Sequence, residues 1–320
     1  MRKYKQFFIK TLIIFLIAMI IIPTGLICWI DYMVGRHHYS KTADYVNYLI
    51  EQKVKIAKDF DKNGKKIVIF SGSNSLYGVN SKYIHEKTGL PVVNFGIHMG
   101  LEHYIFHEAE KILKPGDIVI MPLEFSIYKP DSSTVPSQLA EYIVTYGKDY
   151  VQQLTPIQKL GLSFYLIKLI ITYHSLDAEK LDDKTLGQTN DFGDFIANEG
   201  IIPDIQNNRK FIYITESIPQ NNKKFSLYDF IQYCKKNNIK LYATNPFHYH
   251  RQEYSGQEQE AFNNIKNFYE KNGVEFIGDI KTGAVYDEKL IYDFGYHAND
   301  EGQKIRSDDI IKIISTISLD

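Results

Sequence analysis

The sequence is poor in cysteine: its 320 residues include only Cys28 and Cys234. Cys28 falls inside an apolar run near the N-terminus and Cys234 lies far away in the body of the chain, so we do not expect them to pair. So few cysteines exclude a small disulfide-stapled module, and no zinc-type spacing of Cys and His is present. A large exported domain without disulfides would be more typical of a bacterial cell envelope than of an animal secreted protein.

The chain also lacks a basic cluster outside its first ten positions. Lys and Arg total 37 and Asp and Glu 38, for a formal net charge of -1. Four of the basic residues lie within residues 1–10, so the rest of the chain carries 33 basic against 38 acidic side chains. Because nucleic-acid phosphates are bound by clustered Lys and Arg, we expect no nucleic-acid partner. An aromatic content of 14% excludes a disordered chain.

Charge is absent from residues 11–30, a run of twenty residues that is mostly Ile, Leu and Phe. At about 1.5 Å per residue, a helix of this length crosses a hydrocarbon core about 30 Å thick. A cleavable signal peptide is the alternative, but its apolar core usually has roughly 7–15 residues and ends at small side chains. The run 11–30 is longer than that and does not end at small side chains. We therefore predict an uncleaved transmembrane signal anchor at 11–30. Residues 1–10 would be a basic cytoplasmic tail, and residues 31–320 would lie outside the cytoplasmic membrane of a bacterium.

Beyond the anchor, short β-branched apolar runs alternate with helical patterns. The predicted strands are 65–70, 91–96, 118–123, 239–246 and 274–279, and the predicted helices are 81–89, 101–113, 226–238, 257–273 and 299–317. This alternation predicts an α/β fold in which helices sandwich an open parallel sheet. Residues 31–64 would form a juxtamembrane linker and helix. Residues 65–320 would form the domain, with a helical insertion at 126–222 where the alternation stops.

Ligands of an open parallel sheet bind beyond the carboxyl ends of its strands, so the polar residues there are candidates for a site. Ser73 follows the first predicted strand, in a Ser-, Gly- and Asn-rich segment expected to be a loop. Glu124 follows the third strand, and Asn245 and His248 follow the fourth, where they could line a pocket. His248 and His250 without a third ligand nearby do not make a metal site. We expect neither a metal nor another cofactor.

Ser73 together with the late residues Asp293 and His297 matches the parts of a Ser-His-Asp hydrolase. A serine hydroxyl is a weak nucleophile until an imidazole takes its proton, and a carboxylate fixes the tautomer of that imidazole. These residue types are common in loops, so composition alone makes the signal weak. Asp300 is a rival to Asp293, although a carboxylate there would also suit the start of the last helix.

The order of these residues resembles the SGNH (GDSL-like) hydrolase superfamily, over about residues 67–314 with the 126–222 block as an interruption. Ser71-Gly72-Ser73 stands where that superfamily has Gly-Asp-Ser, and His297 precedes the closing helix as the family's histidine does. The resemblance implies that Ser73 is the nucleophile, His297 the base and Asp293 its orienting acid. It also implies that the backbone N–H of Gly100 helps to form an oxyanion hole.

Two departures from the family pattern concern the same site. Asp293 stands four residues before His297, where the family usually has three. The family's third block carries an Asn that donates to the oxyanion, whereas this chain has Glu124 after its third strand. Losing one oxyanion donor typically costs about 10²–10³ in rate, so a substitute donor is needed. Asn74 and the backbone N–H of Ser73 are the candidates. Glu124 could be a structural hydrogen-bond acceptor or a substrate-facing acid.

The resemblance implies a membrane-anchored serine esterase or O-acyltransferase that modifies acyl esters on a cell-surface glycan or glycopolymer. Similar envelope members of the superfamily are the D-alanine-transfer proteins of lipoteichoic acid and the O-acetyltransferases of polysaccharides. They suggest a multispan membrane protein as acyl donor. The alternative is a non-catalytic SGNH-like module that binds a glycan or scaffolds an envelope polysaccharide machine, and the altered third block keeps this alternative open.

Overall fold

The computed structural model describes residues 2–36, 40–173, 188–200, 210–220 and 225–319. The chain forms two compact units, one made of Met1–Asn47 and Ser132–Lys180 and the other of Tyr48–Asp131 and Leu181–Asp320. The predicted linker 31–64 and insertion 126–222 each contribute residues to both units. Parts of them lie outside the described residues, namely 37–39, 174–187, 201–209 and 221–222. Their boundaries as domains stay predictions.

Helices and strands alternate along the second unit. The α-helices of the described chain are α1 (Arg2–Met33), α2 (Lys41–Phe60), α3 (Ser73–Gly78), α4 (Ser81–Thr88), α5 (Tyr104–Glu110), α6 (Ser137–Thr145), α7 (Lys148–Val151), α8 (Pro156–Tyr173), α9 (Ser226–Lys236), α10 (Gly256–Lys271) and α11 (Asp300–Thr316). The strands are β1 (Ile67–Ser71), β2 (Val92–Gly96), β3 (Ile118–Met121), β4 (Lys240–Ala243), β5 (His248–Tyr249), β6 (Glu275–Phe276) and β7 (Ala284–Val285). Short 3₁₀ turns lie at Asp61–Asn63, Met99–Leu101, Phe125–Ile127 and Glu288–Leu290.

Five of the strands form one sheet in the order β2-β1-β3-β4-β6, with every pair parallel. β5 and β7 form a separate two-stranded sheet. The chain leaves β1 in one direction to form β2 and then returns past it to form β3. The crevice beyond the carboxyl ends of β1 and β3 is therefore the topological switch point, where ligands of such sheets bind.

Helices cover both faces of this sheet because alternate residues of each buried strand point to opposite sides. On one side Ile67 and Ile69 of β1 pack in a cluster with Ile310 and Ile314 of α11. On the other side the ring of Phe70 lies 5.5 Å from Phe106 of α5 and 5.4 Å from Phe230 of α9. The predicted α/β class, with a parallel sheet flanked by helices, is confirmed.

The N-terminal helix α1 is apolar along most of its length. Residues Lys3–Met33 have a peak mean hydropathy of 2.7 and are long enough to span a membrane. The predicted span 11–30 lies within this helix. In the same unit α8 packs beside α1, and Lys159 Nζ lies 2.8 Å from Asp31 Oδ1. A single N-terminal apolar helix is thus confirmed for the described residues, at the level of length and composition.

Two predicted elements differ from the structure near the strand ends. Residues 73–78, expected to be a loop, form the short helix α3. The predicted helix 101–113 is divided into a 3₁₀ turn and the shorter α5, because Glu102 between them has a φ of +45°, which no helix contains. Both differences concern segments that leave the switch-point end of the sheet.

Candidate functional site

Ser73, His297 and Asp293 meet at the switch point in one chain of hydrogen bonds. Ser73 Oγ lies 2.8 Å from His297 Nε2, and His297 Nδ1 lies 2.6 Å from Asp293 Oδ1. The side chains of His297 and Asp293 are 14% and 25% exposed, so a ligand can reach the histidine. This geometry suits an imidazole that accepts the Ser73 proton on Nε2 while the carboxylate holds the proton on Nδ1. The structure therefore brings together the three residues predicted to be catalytic.

A tight turn before α11 explains how a spacing of four residues places Asp293 beside His297. Tyr292 N donates to the His297 carbonyl at 2.9 Å, and His297 N donates to the Phe294 carbonyl at 2.7 Å. Ile291 and Ala298, which flank this turn, pair in an antiparallel β-bridge. The turn folds the two side chains to the same side, so the extra residue relative to the family pattern does not separate them.

Asp300, the rival to Asp293, points elsewhere. It is the first residue of α11, is exposed, and its Oδ1 accepts from Gly200 N at 3.2 Å. A carboxylate in the first turn of a helix is favoured by the helix dipole. Asp300 therefore has a structural role at the helix start and Asp293 is the residue that orients His297.

Glu124 organises the turn that presents Ser73. Its Oε2 accepts from Gly72 N at 3.0 Å and its Oε1 accepts from Asn74 N at 2.9 Å. The carboxylate therefore caps the N-terminus of α3, whose first residue is Ser73. A Cβ at position 72 would lie 2.6 Å from Glu124 Oε1, so only glycine allows this approach. Of the two roles left open by the sequence, the structure supports the structural acceptor.

Glu124 is 1% exposed, and its ionisation is set by opposing effects. Burial raises the pKa of Glu124 above the usual range, while the two N–H donors and the nearby His297 oppose that rise. Both carboxylate oxygens accept from backbone N–H groups, which favours the ionised form and so opposes the effect of burial. Both oxygens of Glu124 are thus engaged within the fold rather than offered to a substrate.

The Asn74 side chain, predicted as a substitute oxyanion donor, is engaged within the fold. Its Nδ2 donates to Ser71 Oγ at 2.8 Å and to the Pro122 carbonyl at 2.6 Å. Its Oδ1 accepts from Phe247 N at 3.2 Å. With both N–H bonds used and 1% exposure, Asn74 ties β1 to the segments after β3 and β4 and has no donor left for a substrate.

The two backbone N–H groups predicted for the oxyanion hole differ in whether they already make a hydrogen bond. Ser73 N–H stands at the first position of α3 and has no acceptor among the described residues, as expected for an N–H that faces a ligand. Gly100 N–H instead donates to His98 Nδ1 at 3.0 Å, within the 3₁₀ turn that follows β2. Of the predicted oxyanion donors, Ser73 N–H is the one that the structure leaves open.

Two aromatic contacts of His297 were missed from the sequence. The ring of Tyr77 stacks on His297 at 4.1 Å between centroids and 17° between planes. Phe294, 40% exposed, meets the same imidazole edge-on at 5.6 Å. Tyr77 stands four residues after Ser73, a spacing that puts both on one face of a helix. That signal was hidden because 71–80 was expected to be a loop.

Asn245 and His248, predicted to line a pocket, are buried within the fold instead. Asn245 Nδ2 donates to the Asp279 carbonyl at 2.9 Å, and its own carbonyl accepts from Arg306 Nη2. His248 is fully buried, with Nδ1 2.9 Å from the Pro246 carbonyl and its ring 5.2 Å from Phe125. Both residues shape the segment after β4 and neither faces a cleft. Among the described residues, no group of three or more His, Cys, Asp or Glu side chains could hold a metal ion.

His248 gives the chain a predicted sensitivity to acid. Burial lowers the pKa of His248 from 6.5 to about 4, so its contribution to stability is complete above pH 6.5 and is lost as the pH falls towards 4. The loss is roughly 3 kcal/mol from the linkage of protons to unfolding. We expect the thermal midpoint of His248→Asn, which keeps a donor for the Pro246 carbonyl, to fall less between pH 7 and 4 than that of wild type. Equal falls in the two proteins would contradict this assignment.

Searches of family models and of curated proteins found nothing that matches this chain.

Proposed function

We propose that this protein is a membrane-anchored SGNH-type serine esterase or O-acyltransferase acting on acyl esters of a cell-surface glycan or glycopolymer. The observation that carries the proposal is the continuous contact from Ser73 Oγ through His297 to Asp293. A strand order of β2-β1-β3-β4-β6, equivalent to the flavodoxin-like order 2-1-3-4-5, supports it because the contact lies at the switch point of such a sheet.

The proposed reaction proceeds through an acyl-serine intermediate. His297 Nε2 takes the proton of Ser73 Oγ as that oxygen attacks the acyl carbonyl carbon, and Asp293 stabilises the imidazolium that results. When the tetrahedral intermediate collapses, the leaving alkoxide takes the proton from His297 and Ser73 keeps the acyl group. Water or a sugar hydroxyl then attacks the acyl carbon while His297 takes its proton. When this second tetrahedral intermediate collapses, the bond between Ser73 Oγ and the acyl carbon breaks, His297 returns the proton to Ser73 Oγ, and an acid or a new ester is released.

The apolar helix α1 supports the membrane part of the proposal. A basic first segment and a span of this length favour an N-terminus in the cytoplasm and a domain on the outer side of the bacterial membrane. There the domain would be close to lipid-linked or wall polymers, which makes transfer to a sugar hydroxyl the more natural use. A multispan membrane protein would then supply the acyl group from the cytoplasmic side.

Labelling of the full-length protein in detergent with a fluorophosphonate tests the proposal. We expect an adduct on Ser73, mapped by mass spectrometry, because an activated serine attacks phosphorus as it attacks a carbonyl carbon. Ser73→Ala and His297→Ala should each remove the adduct. Ser315→Ala, which changes an exposed serine of α11, is the matched control and should label as wild type does.

The outcomes separate the enzyme from the alternative module. Labelling at Ser73 that depends on His297 would support an activated serine. A folded wild-type protein that takes no label at Ser73 would instead favour a non-catalytic module that binds a glycan or scaffolds an envelope machine. Folding would be verified in each case by the thermal midpoint of the same preparation.

A further inference from the structure

His98 belongs to the segment after β2, which packs on the turn that carries Ser73. The next residue, Met99, packs so closely on that turn that a Cβ at Gly72 would lie 2.8 Å from its sulfur. The Gly100 N–H, two residues on, donates to His98 Nδ1 at 3.0 Å. The backbone donor expected in the oxyanion hole is thus directed at an imidazole instead of at a ligand.

The same hydrogen bond decides where the proton of His98 is. An imidazole nitrogen that accepts from a backbone N–H carries no hydrogen, so the neutral ring has its proton on Nε2. Burial lowers the pKa of His98, and the positive charge of His297 lowers it further, which keeps the ring neutral. His98 Nε2 has no hydrogen-bond partner within the described ranges and is not among the fully buried polar atoms that lack one. It is a donor with solvent access.

We propose that His98 Nε2–H is an oxyanion donor of this site and replaces the side-chain amide that the third block lacks. The inference rests on the proposed function of Ser73. As Ser73 Oγ bonds to the acyl carbon, the carbonyl electron pair moves onto oxygen, and Ser73 N–H and His98 Nε2–H donate to that oxygen. No proton leaves His98, and the pair returns to re-form the carbonyl when the alkoxide departs.

The other donors considered for this position are engaged. The Asn74 amide donates to Ser71 Oγ and to the Pro122 carbonyl. Glu124, which stands where the family has its Asn, accepts two backbone hydrogen bonds and has none to give. Gly100 N–H is bound to His98 itself. Ser73 N–H and His98 Nε2–H would then be the donors that stabilise the acyl-transfer intermediate.

Two substitutions of His98 distinguish the role of Nδ1 as an acceptor from the proposed role of Nε2 as a donor. In His98→Asn, the side-chain oxygen stands near the position of Nδ1 and accepts from Gly100 N–H, but nothing donates from the position of Nε2. In His98→Gln, the longer amide brings an N–H₂ to that outer position. With p-nitrophenyl acetate as acyl donor and the full-length protein in detergent, we expect His98→Asn to lower kcat by about 10²–10³-fold with little change in KM. His98→Gln should recover at least about tenfold of that loss, since it restores one donor.

His98→Ala provides the decisive contrast, because it frees Gly100 N–H. If Gly100 is the donor and His98 only covers it, His98→Ala will react at least as fast as wild type, and the inference is overturned. A wild-type rate in His98→Asn with an unchanged thermal midpoint would overturn it as well. Fluorophosphonate labelling of wild-type Ser73, measured alongside, distinguishes a failure of the proposed serine enzyme from a failure of the proposed role of His98. Its absence refutes the serine enzyme and this inference together, whereas its presence with unaffected His98 variants refutes this inference alone.

Discussion

Replacing Asp293 with Asn is expected to slow the acylation of Ser73 by on the order of 10³–10⁴-fold while leaving the fold intact. The Asp293 carboxylate lies 2.6 Å from His297 Nδ1, so it accepts a hydrogen bond from Nδ1–H, which leaves Nε2 free to take the proton of Ser73. An asparagine has nearly the same shape, but its Nδ2 can donate to the ring and drive the ring proton onto Nε2. It also has no charge to stabilise the imidazolium. The rate of fluorophosphonate labelling at Ser73 in the full-length protein measures the effect.

Asp300→Asn is the matched control for this substitution. Asp300 lies seven residues further along, is exposed, and accepts a hydrogen bond from Gly200 N at the start of α11. Its loss of charge should change stability by about 0.3–1 kcal/mol and leave the labelling rate unchanged. A labelling rate that falls in Asp300→Asn and stays normal in Asp293→Asn would reverse the assignment of the orienting acid.

The sheet could be predicted from the sequence because its strands are buried on both faces. Runs such as 118–123 are apolar and β-branched without alternation, a pattern that parallel strands share. The strand ends then placed Ser73 near the site, and the resemblance to a known family added His297 and Asp293. These three residues were predictable because each lies near a strong local signal. Ser73 follows a buried strand, and Asp293 and His297 precede the closing helix.

The rest of the site depends on contacts between residues far apart in the chain. Residues 73–78 contain Ser, Asn and Gly, which are poor helix formers. The start of α3 is stabilised by Glu124, about 50 residues away, which accepts from Gly72 N and Asn74 N. Asn74 was predicted to face a ligand, but its amide has partners near Pro122 and Phe247 that no local pattern reveals. The role of each side chain was therefore set by tertiary hydrogen bonds, whose partners a single sequence does not identify.

The contact between Glu124 and the start of α3 makes Glu124→Gln the most informative test of how the site is built. Glutamine has almost the same volume, but it accepts with one oxygen and presents an N–H₂ group in place of the other. One of the backbone N–H groups of Gly72 and Asn74 would then face a donor, at a position that is 1% exposed. A buried donor without an acceptor costs about 1–3 kcal/mol of the free energy of unfolding. We expect a fall of the thermal midpoint by roughly 2–4 °C for each of these kcal/mol.

The effect on the reaction should exceed the effect on stability. Ser73 lies between the two N–H groups that Glu124 holds, so a shift of the turn by about 1 Å moves Ser73 Oγ away from His297 and can cost about 10²-fold in rate. Glu102→Gln is the matched control, since Glu102 pairs with Lys129 at 3.2 Å near the surface, where such pairs contribute about 0–1 kcal/mol. If Glu124→Gln labels at Ser73 and melts as wild type does, the capping of α3 does not depend on the carboxylate. A variant that melts normally but labels about 10²-fold more slowly would show that the carboxylate positions Ser73 without contributing to stability.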